Sequence, residues 1–286
     1  MAAQFREKRG AAGFLRRWVS MLLWALLWPL LGDASAGQET RDLSAHFGSA
    51  TGAFVCYDAG RDHWLRYQPE LCRARSSPCS TFKIPNTLIA LETGVADGPN
   101  FTLPWDGKSR FLADWNRDQS LRSAYAVSCV WYYQELARRI GQKPMEAALT
   151  RWDYGNRDTS GGLTQFWLSS SLKISPDEQV DFLRRLHTRQ LPVSEKSVNI
   201  LLDIMVVGRV GDTVYRGKTG SAMDEKSGKF VSGWWVGSVV GPQGSHFFAT
   251  WLRGGDSPSG REARRMTGII LQDLGVLPRD FPLATP

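Results

Sequence analysis

The spacing of apolar and polar residues changes twice along the chain. From about residue 50 to 68 they alternate around a turn at Asp58-Ala59-Gly60, which predicts a hairpin of two β-strands. From about residue 80 to 206 the spacing is mostly helical, with loops rich in Trp, Asp and Gly. After Gly208 the runs TVYRGKTG, VSGWWVGSVVG and SHFFATWL predict three antiparallel strands.

Local residues predict where several helices begin. Ser175-Pro176-Asp177-Glu178 combines a capping box with proline at the first helical position, and predicts a helix that runs through Leu186. Ser194 predicts the start of another helix, and a last helix is expected from about Gly260 to Asp273.

Strands at both ends with helices between them predict an α+β fold. We expect an antiparallel sheet formed by the N- and C-terminal segments, flanking helices, and an inserted all-helical subdomain at roughly residues 100–205. A length of 286 residues with 42% hydrophobic content provides a core for one compound domain, placed at residues 37–286. A cleft is expected at the seam between sheet and helices.

The first 36 residues have the pattern of a secretory signal peptide. A basic stretch ending in Arg16-Arg17 precedes the apolar run Trp18 to Leu31, and Ala34-Ser35-Ala36 follows. As a helix the run would span about 21 Å, less than the roughly 30 Å of a bilayer core. We expect cleavage near Ala36 and export to the periplasm or the medium, with no membrane attachment afterwards. The alternative is an uncleaved N-terminal anchor.

The charge distribution and the histidine spacing argue against nucleic-acid binding and against a metal site. The net charge is +7, and without the first 36 residues 30 basic and 26 acidic residues remain, a net charge of +4. Because these basic residues are scattered, the sequence does not favour nucleic-acid binding. None of the four histidines has metal-ligand spacing, so no metal site is expected.

Ser80-Thr81-Phe82-Lys83 is the first candidate for chemistry, because Ser80 and Lys83 would share one face of a helix. A serine hydroxyl becomes a good nucleophile when a base takes its proton, and a lysine can do so only as the neutral amine. Lys83 must therefore be buried or chemically altered. Pro85 is tolerated in a first helical turn, which places Ser80 at the helix N-terminus.

Two further motifs add to the candidate catalytic residues. Ser128-Cys129-Val130 supplies a second serine that could pass a proton to a leaving group. Lys218-Thr219-Gly220 supplies a positive charge, a hydroxyl for a substrate carboxylate, and a glycine that allows a strand to approach a ligand closely. In this order, the three motifs resemble those of the penicillin-interacting serine acyl-enzymes.

Details within the chain resemble the class D (oxacillinase-type) serine β-lactamases. The matching segments are Tyr154-Gly155-Asn156, Trp167-Leu168, STFKIPNTLIALETG and GWWVG, and the likeness covers about residues 45–275. The resemblance implies hydrolysis of β-lactams, small molecules that acylate Ser80. It also implies that Lys83 takes up CO2, supplied by bicarbonate, to form N6-carboxylysine as the general base, with no other cofactor.

The resemblance also implies roles for the remaining site residues. Trp167 would hydrogen-bond the carbamate, Ser128 would relay a proton with help from Lys218, and the backbone N–H groups of Ser80 and Ser221 would form the oxyanion hole. The expected substrate-binding residues are Val130, Tyr154, Asn156, Leu168, Thr219, Gly220, Ser221, Arg261 and Arg264. Either Arg261 or Arg264 would bind the substrate carboxylate, a choice that the motif leaves open.

The four cysteines allow three full pairings in an exported protein. Cys56 and Cys72 would close a short loop, and we expect a disulfide between them. Cys79 and Cys129 each adjoin a candidate catalytic serine, where a bridge would be awkward, and are expected to be small buried hydrophobic residues.

Two alternatives to a β-lactamase remain. The segments LPWDGKSR and WNRDQSL resemble the extracellular penicillin-sensing domain of β-lactam receptor proteins, which would acylate but deacylate slowly. A D-alanyl-D-alanine peptidase is the other alternative. All three would acylate Ser80, and they differ in how quickly water releases the acyl group.

Overall fold

The computed structural model describes residues 37–224 and 226–283, and the strands of its main sheet lie before residue 68 and after residue 205. The strands are β1 (Gly37–Thr40), β2 (Thr51–Asp58), β3 (His63–Tyr67), β4 (Thr102–Leu103), β5 (Gln119–Ser120), β6 (Val206–Val210), β7 (Thr213–Met223), β8 (Phe230–Gly241) and β9 (Gly244–Arg253). The predicted signal peptide, residues 1–36, lies outside the described residues.

Most of the helical residues lie between β3 and β6. The helices are α1 (Ser44–Phe47), α2 (Pro69–Arg73), α3 (Lys83–Glu92), α4 (Leu121–Ala126), α5 (Val130–Ile140), α6 (Gln142–Arg151), α7 (Pro176–His187), α8 (Glu195–Ile204) and α9 (Gly260–Asp273), with 3₁₀ turns at Cys79–Phe82 and Ala113–Trp115. Within the part of the chain that the structure describes, no helix combines the length and apolar character needed to cross a bilayer.

The main sheet has seven strands in the order β1-β3-β2-β9-β8-β7-β6. Its neighbouring pairs are antiparallel except for β1 with β3, which run parallel. The predicted hairpin is β2–β3, and β2 also pairs with β9 from Thr51–Arg253 to Asp58–His246. Strands from the N-terminal and C-terminal parts of the described chain therefore pair in the middle of the sheet, and the predicted α+β fold is confirmed. The insertion predicted to be all-helical also contains the short antiparallel pair β4–β5.

The helix boundaries follow the predicted caps. At α7, the Ser175 side chain accepts a hydrogen bond from the Glu178 N–H, and Glu178 accepts one in return from the Ser175 N–H. Ser194 caps α8 with a single bond, by accepting from the Ser197 N–H. The short outer strands β1 and β6 were not predicted, because neither carries an alternating pattern long enough to recognise.

The two faces of the sheet are covered by different layers. The α7 face packs against α7 and the helices behind it, and its core includes Phe82, Trp234 and Phe247. The α9 face packs against α9, and its core includes Trp235 and Phe248. Because side chains alternate along a strand, neighbouring tryptophans in β8 enter different cores.

The predicted disulfide between Cys56 and Cys72 is not formed, and both are buried free thiols. Cys56 on β2 packs into the core of the α9 face, whereas Cys72 in α2 packs into the core of the α7 face. The Cys72 Sγ donates to the carbonyl oxygens of Phe54 and Tyr67, at 3.4 and 3.2 Å. Closeness in sequence suggested the pairing, but the sheet separates the two side chains.

Candidate active site

Ser80 lies in the 3₁₀ turn that leads directly into α3. Lys83 is the first residue of α3, and Pro85 lies in the first helical turn, where its missing N–H breaks no helical hydrogen bond. The three-residue spacing brings both side chains to one face, and the Lys83 Nζ donates to the Ser80 Oγ at 2.9 Å. The candidate nucleophile and its candidate base are therefore in direct contact.

The backbone is strained beside both candidate serines. Cys79 immediately precedes Ser80 and has φ +49°, and Ser128 itself has φ +55°. Left-handed conformations are uncommon for residues other than glycine, and such strain concentrates at functional sites. Cys79 and Cys129 are both fully buried, as expected for small hydrophobic residues.

Lys83 is only 1% exposed, and among the described residues it makes no salt bridge with a carboxylate. Burial lowers the pKa of Lys83 to about 7, and the nearby thiols of Cys129 and Cys79 oppose this shift. About half of such amines are neutral near pH 7, compared with about one in a few thousand for an ordinary lysine. Lys83 is therefore buried, as the sequence required of a lysine that acts as a base.

Aromatic side chains enclose the turn that carries Lys83. The Phe82 ring stacks on Trp167, with centroids 5.3 Å apart, and meets Phe166 edge-on at 5.0 Å. Trp167 is 1% exposed, and its indole N–H makes no hydrogen bond to any residue that the structure describes. These rings make the surroundings of the Ser80 turn apolar. The Trp167 indole N–H is left without an acceptor among the described residues.

Ser128 and Lys218 form the second contact of the site. Ser128 lies between α4 and α5, while Lys218 is 3% exposed on β7. The Lys218 Nζ donates to the Ser128 Oγ at 3.0 Å, the Thr219 carbonyl at 3.1 Å and the Thr219 Oγ1 at 3.2 Å. Burial holds the pKa of Lys218 well below its ordinary value, and the charges of Lys83 and Arg264 lower it further.

Gly220 allows β7 to lie directly against the Ser80 turn. A Cβ at this position would come within 2.8 Å of the Pro78 carbonyl oxygen and 3.1 Å of the Thr81 Cγ2, so a larger residue would force the two apart. The adjacent Ser221 hydroxyl accepts from the Gly260 N–H at 2.9 Å, which ties the strand to the start of α9. The Lys-Thr-Gly motif thus reaches the nucleophile by close backbone packing.

Ser77 is a supporting residue that no sequence motif indicated. Its hydroxyl donates to the Trp167 carbonyl at 3.0 Å and accepts from the Ser169 N–H at 2.9 Å. Its own carbonyl accepts from the Trp234 Nε1 at 2.9 Å. Ser77 therefore joins three segments that carry site residues: the Ser80 turn, the Trp167 loop and β8.

Tyr154 and Asn156 support the site from behind. Tyr154 is 1% exposed, and its ring packs edge-on against Phe82. Asn156 donates to the Ser171 carbonyl and accepts from the Lys173 N–H, both at 2.9 Å. The buried ring of Tyr154 has no surface to offer a substrate, so its predicted substrate contact is corrected to a packing role.

Val130 and Leu168 are half-buried and retain some exposed surface. Val130 begins α5, two residues after Ser128, and Leu168 follows Trp167. Both side chains pack against the core of the α7 face. Their partial exposure is compatible with the predicted contact to a substrate.

The two candidate arginines of α9 have different surroundings. The Arg264 guanidinium lies 5.2 Å from the centre of the Trp235 ring and is close enough to lower the pKa of Lys218. Arg261, one helical turn earlier, is exposed. Trp235 belongs to the core of the α9 face, so this contact holds Arg264 on that face, and its charge acts on Lys218 from there.

Comparison with known proteins gives consistent matches over most of the chain. Residues 34–268 match the family model described as the penicillin binding protein transpeptidase domain. The chain is 39% identical to β-lactamase OXA-48 of Klebsiella pneumoniae over 220 residues, which cover 76% of this chain and 81% of that enzyme.

Two solved structures have a similar fold. The class D β-lactamase of Bacillus subtilis is 35% identical, with a TM-score of 0.78 over 83% of this chain and 97% of that one. The C-terminal domain of the Bacillus licheniformis BlaR penicillin-receptor is 31% identical, with a TM-score of 0.81 over 85% and 99%. Similarity thus extends both to an enzyme and to a receptor domain.

Proposed function

The chain belongs to the penicillin-binding-protein transpeptidase family and, within it, to the class D β-lactamases, and from this premise we propose that it hydrolyses β-lactams through an acyl-enzyme on Ser80. The observation that carries the proposal is the 2.9 Å hydrogen bond between Ser80 and the buried Lys83. With a pKa of about 7, Lys83 has the neutral form that a base requires.

We further propose that Lys83 carries CO2 as N6-carboxylysine. The neutral amine would attack the carbon of CO2 and lose one proton, which converts a group of charge zero into one of charge −1. Two observations support the fit: the apolar wall of Phe82 and Trp167, and the indole N–H of Trp167 that has no acceptor among the described residues. The carbamate supplies a general base for both acylation and deacylation.

In acylation, the Ser80 Oγ would attack the β-lactam carbonyl while its proton passes to the base at Lys83. The backbone N–H groups of Ser80 and Ser221 are assigned to the developing oxyanion. As the ring C–N bond breaks, the Ser128 hydroxyl gives its proton to the departing nitrogen, and Lys218, at 3.0 Å, replaces that proton. Water activated at Lys83 then hydrolyses the ester, which restores Ser80.

We assign substrate carboxylate recognition to Thr219 and Arg264. The Thr219 hydroxyl is held by Lys218 at 3.2 Å, and the charge of Arg264 acts on the same lysine. An anionic substrate group would be attracted by the two basic residues together. Arg261, one helical turn earlier and exposed, is the alternative cation of this clamp.

A slow-deacylating sensor is the second candidate, because the BlaR penicillin-receptor domain matches nearly its whole length to this chain. Both candidates predict the same acyl-enzyme on Ser80. They differ in how many substrate molecules one protein molecule converts.

The test is nitrocefin or penicillin turnover by the purified protein, with and without bicarbonate, alongside mass spectrometry of Ser80. Many turnovers that increase with bicarbonate would support the carbamate-dependent β-lactamase. A single burst with a long-lived Ser80 adduct would replace it with the sensor. Ser80→Ala serves as the control and should form no adduct, because the attacking oxygen is missing.

We also propose export through the N-terminal segment. The basic, apolar and small-residue regions that end at Ala36 are its basis. N-terminal sequencing of the protein recovered from the periplasm or medium should begin near Gly37. Recovery of the uncleaved chain in the membrane fraction would support the anchor instead.

A further inference from the structure

Lys218 is a buried amine without a carboxylate partner among the described residues. Its three recorded acceptors, the Ser128 hydroxyl and the carbonyl and hydroxyl of Thr219, match the three N–H donors of an ammonium. All three acceptors are uncharged in their ordinary states. Arg264 on α9 opposes its protonation, and so does Lys83 on α3 while that amine is protonated, whereas the carbamate proposed for Lys83 would favour it. Any group that attracts a cation at this site therefore adds to the charged form that a proton donor needs.

Tyr125, in the last turn of α4, offers such an interaction. The Lys218 Nζ lies 5.6 Å from the centre of the Tyr125 ring, within the range in which the negative face of an aromatic ring attracts a cation. The ring is 3% exposed, so water does not screen this contact strongly.

The hydroxyl of Tyr125 does not explain why the residue is there. It is buried and has no hydrogen-bond partner in the described part of the chain, an arrangement that costs free energy. Tyr133 provides a contrast: its ring lies 5.2 Å from the Lys83 Nζ, but its hydroxyl is paired with Thr87 at 2.9 Å. What Tyr125 contributes to the site is therefore the face of its ring.

We propose that Tyr125 is a positioning residue for acylation, whose ring face keeps the Lys218 side chain charged and aimed at the Ser128 hydroxyl. The proposal rests on the role given above to Lys218 as the source of the proton that Ser128 passes on. Tyr125 itself touches neither substrate nor reacting atoms. It acts through Lys218, and its effect must therefore be visible in the titration of that lysine.

The direction of the effect follows from the charge. A ring that stabilises the ammonium raises the pKa of Lys218, so weakening the ring lowers it. At high pH, acylation slows as Lys218 loses its proton, and this alkaline limb of the pH profile should then move to lower pH. For complete loss of the contact the shift should be about half to one and a half pH units. Tyr125→Leu would remove the ring but would also disturb packing.

A series of fluorinated rings separates the loss of cation–ring attraction from the loss of packing. Fluorine makes the ring face less negative while nearly preserving the shape of the ring. Phenylalanine, 4-fluorophenylalanine and 3,4,5-trifluorophenylalanine would be placed at position 125 of the full chain, with Tyr125→Phe as the reference. We would measure the pH dependence of Ser80 acylation and, in protein labelled with ¹³C at the lysine ε-carbons, the titration of Lys218. Lys218→Arg assigns the signal.

The expected result is a stepwise fall in both the alkaline limb and the titration midpoint of Lys218 as fluorine is added. The same series at Tyr132 is the matched control. That ring is also buried, but among the described residues no lysine lies over its face. It should leave the midpoint in place.

The two measurements distinguish a failure of this inference from a failure of the proposed function. An unchanged Lys218 midpoint overturns the contribution of Tyr125 while leaving β-lactam hydrolysis untouched. A midpoint that falls while the acylation limb stays fixed shows that the Lys218 proton is not used in acylation, and this overturns the positioning role together with that step. The NMR titration needs no turnover.

Discussion

The two faces of the sheet treat buried polar groups differently. Under α9, the Trp235 Nε1 donates to the Tyr215 hydroxyl, and the Thr250 and Thr267 hydroxyls pair with each other, each at 2.6 Å. The α7 face instead buries the amine of Lys83 without a recorded carboxylate partner and leaves the Tyr125 hydroxyl unpaired among the described residues. The α9 face also buries the His246 Nδ1 without a partner among the described residues, so an unpaired polar atom is common to both faces. What the α7 face adds is a buried amine.

The buried amine of the α7 face lowers the stability of the fold but supports the proposed chemistry. Burying an amine is unfavourable, and a folded protein retains such a group only when something other than stability requires it. The same burial that lowers the pKa of Lys83 to about 7 makes it a base for Ser80. Replacing the buried amine of the α7 face should therefore change activity and stability in opposite directions, while truncating a core residue under α9 should change stability alone.

The largest effect is expected for Lys83→Met. Activity should fall by about a thousandfold or more, since general base catalysis typically contributes a factor of about 10²–10⁴. The variant should nevertheless unfold at higher denaturant concentration, because methionine fills similar space without a buried amine. Initial rates and urea unfolding would check both halves.

The pH dependence sharpens that prediction. The folded pKa of Lys83, about 7, lies below its ordinary value of 10.5, so the unfolded state binds more protons between these limits. In buffer free of CO2 and bicarbonate, where Lys83 is the free amine, wild-type stability should therefore rise with pH above 7, by about 1.4 kcal/mol per unit, whereas the methionine variant lacks this dependence. The advantage of methionine should be about 2–3 kcal/mol larger at pH 6 than at pH 9. Equal advantages would contradict the lowered pKa.

Ile270→Ala tests the α9 face. Ile270 is fully buried there, and the cavity left by its truncation should cost about 2–5 kcal/mol of unfolding free energy. The rate of β-lactam turnover at a temperature where the variant is folded should stay within about twofold of wild type, because a small cavity remote from the hydrogen bonds of the site removes none of them. A large fall in kcat would show that the two faces are coupled.

Trp167→Phe isolates one hydrogen bond on the α7 face. The stack on Phe82 can be retained, but the indole N–H proposed to hold the carbamate is lost. A hydrogen bond to a charged group contributes about 1.5–3 kcal/mol, so deacylation should slow by about 10- to 100-fold and acylation by less. The lifetime of the Ser80 adduct measures this directly. An unchanged lifetime would remove Trp167 from the mechanism.

The smallest effect is expected for the arginines of α9. Arg264→Ala should raise KM about tenfold for substrates that carry a carboxylate, equivalent to about 1.4 kcal/mol, because one cation of the proposed clamp is lost. Arg261→Ala should change KM less than about twofold, since an exposed charge is well screened. Steady-state kinetics of both variants decide the assignment, and the opposite ranking would transfer the clamp to Arg261.

Much of the site was predictable because its groups are local. The three-residue spacing of Ser80 and Lys83 is enough to bring them together on one helical path, as the 2.9 Å contact shows. The caps at Ser175 and Ser194 are equally local, since each acts on a residue three positions later. The alternation in β2, β3 and β7–β9 likewise predicts strands, because one face of each is buried.

The amino-acid sequence by itself determined the order of elements, the motifs and the need for a buried lysine, since these depend on residues a few positions apart. Only the tertiary structure decided which distant residues meet: Ser128 with Lys218, Tyr125 with the same amine, and Ser77 with Trp234. It also separated Cys56 from Cys72, although they are close in sequence. The physical reason is that strand register and helix packing set these contacts across the whole chain, and no local spacing encodes them.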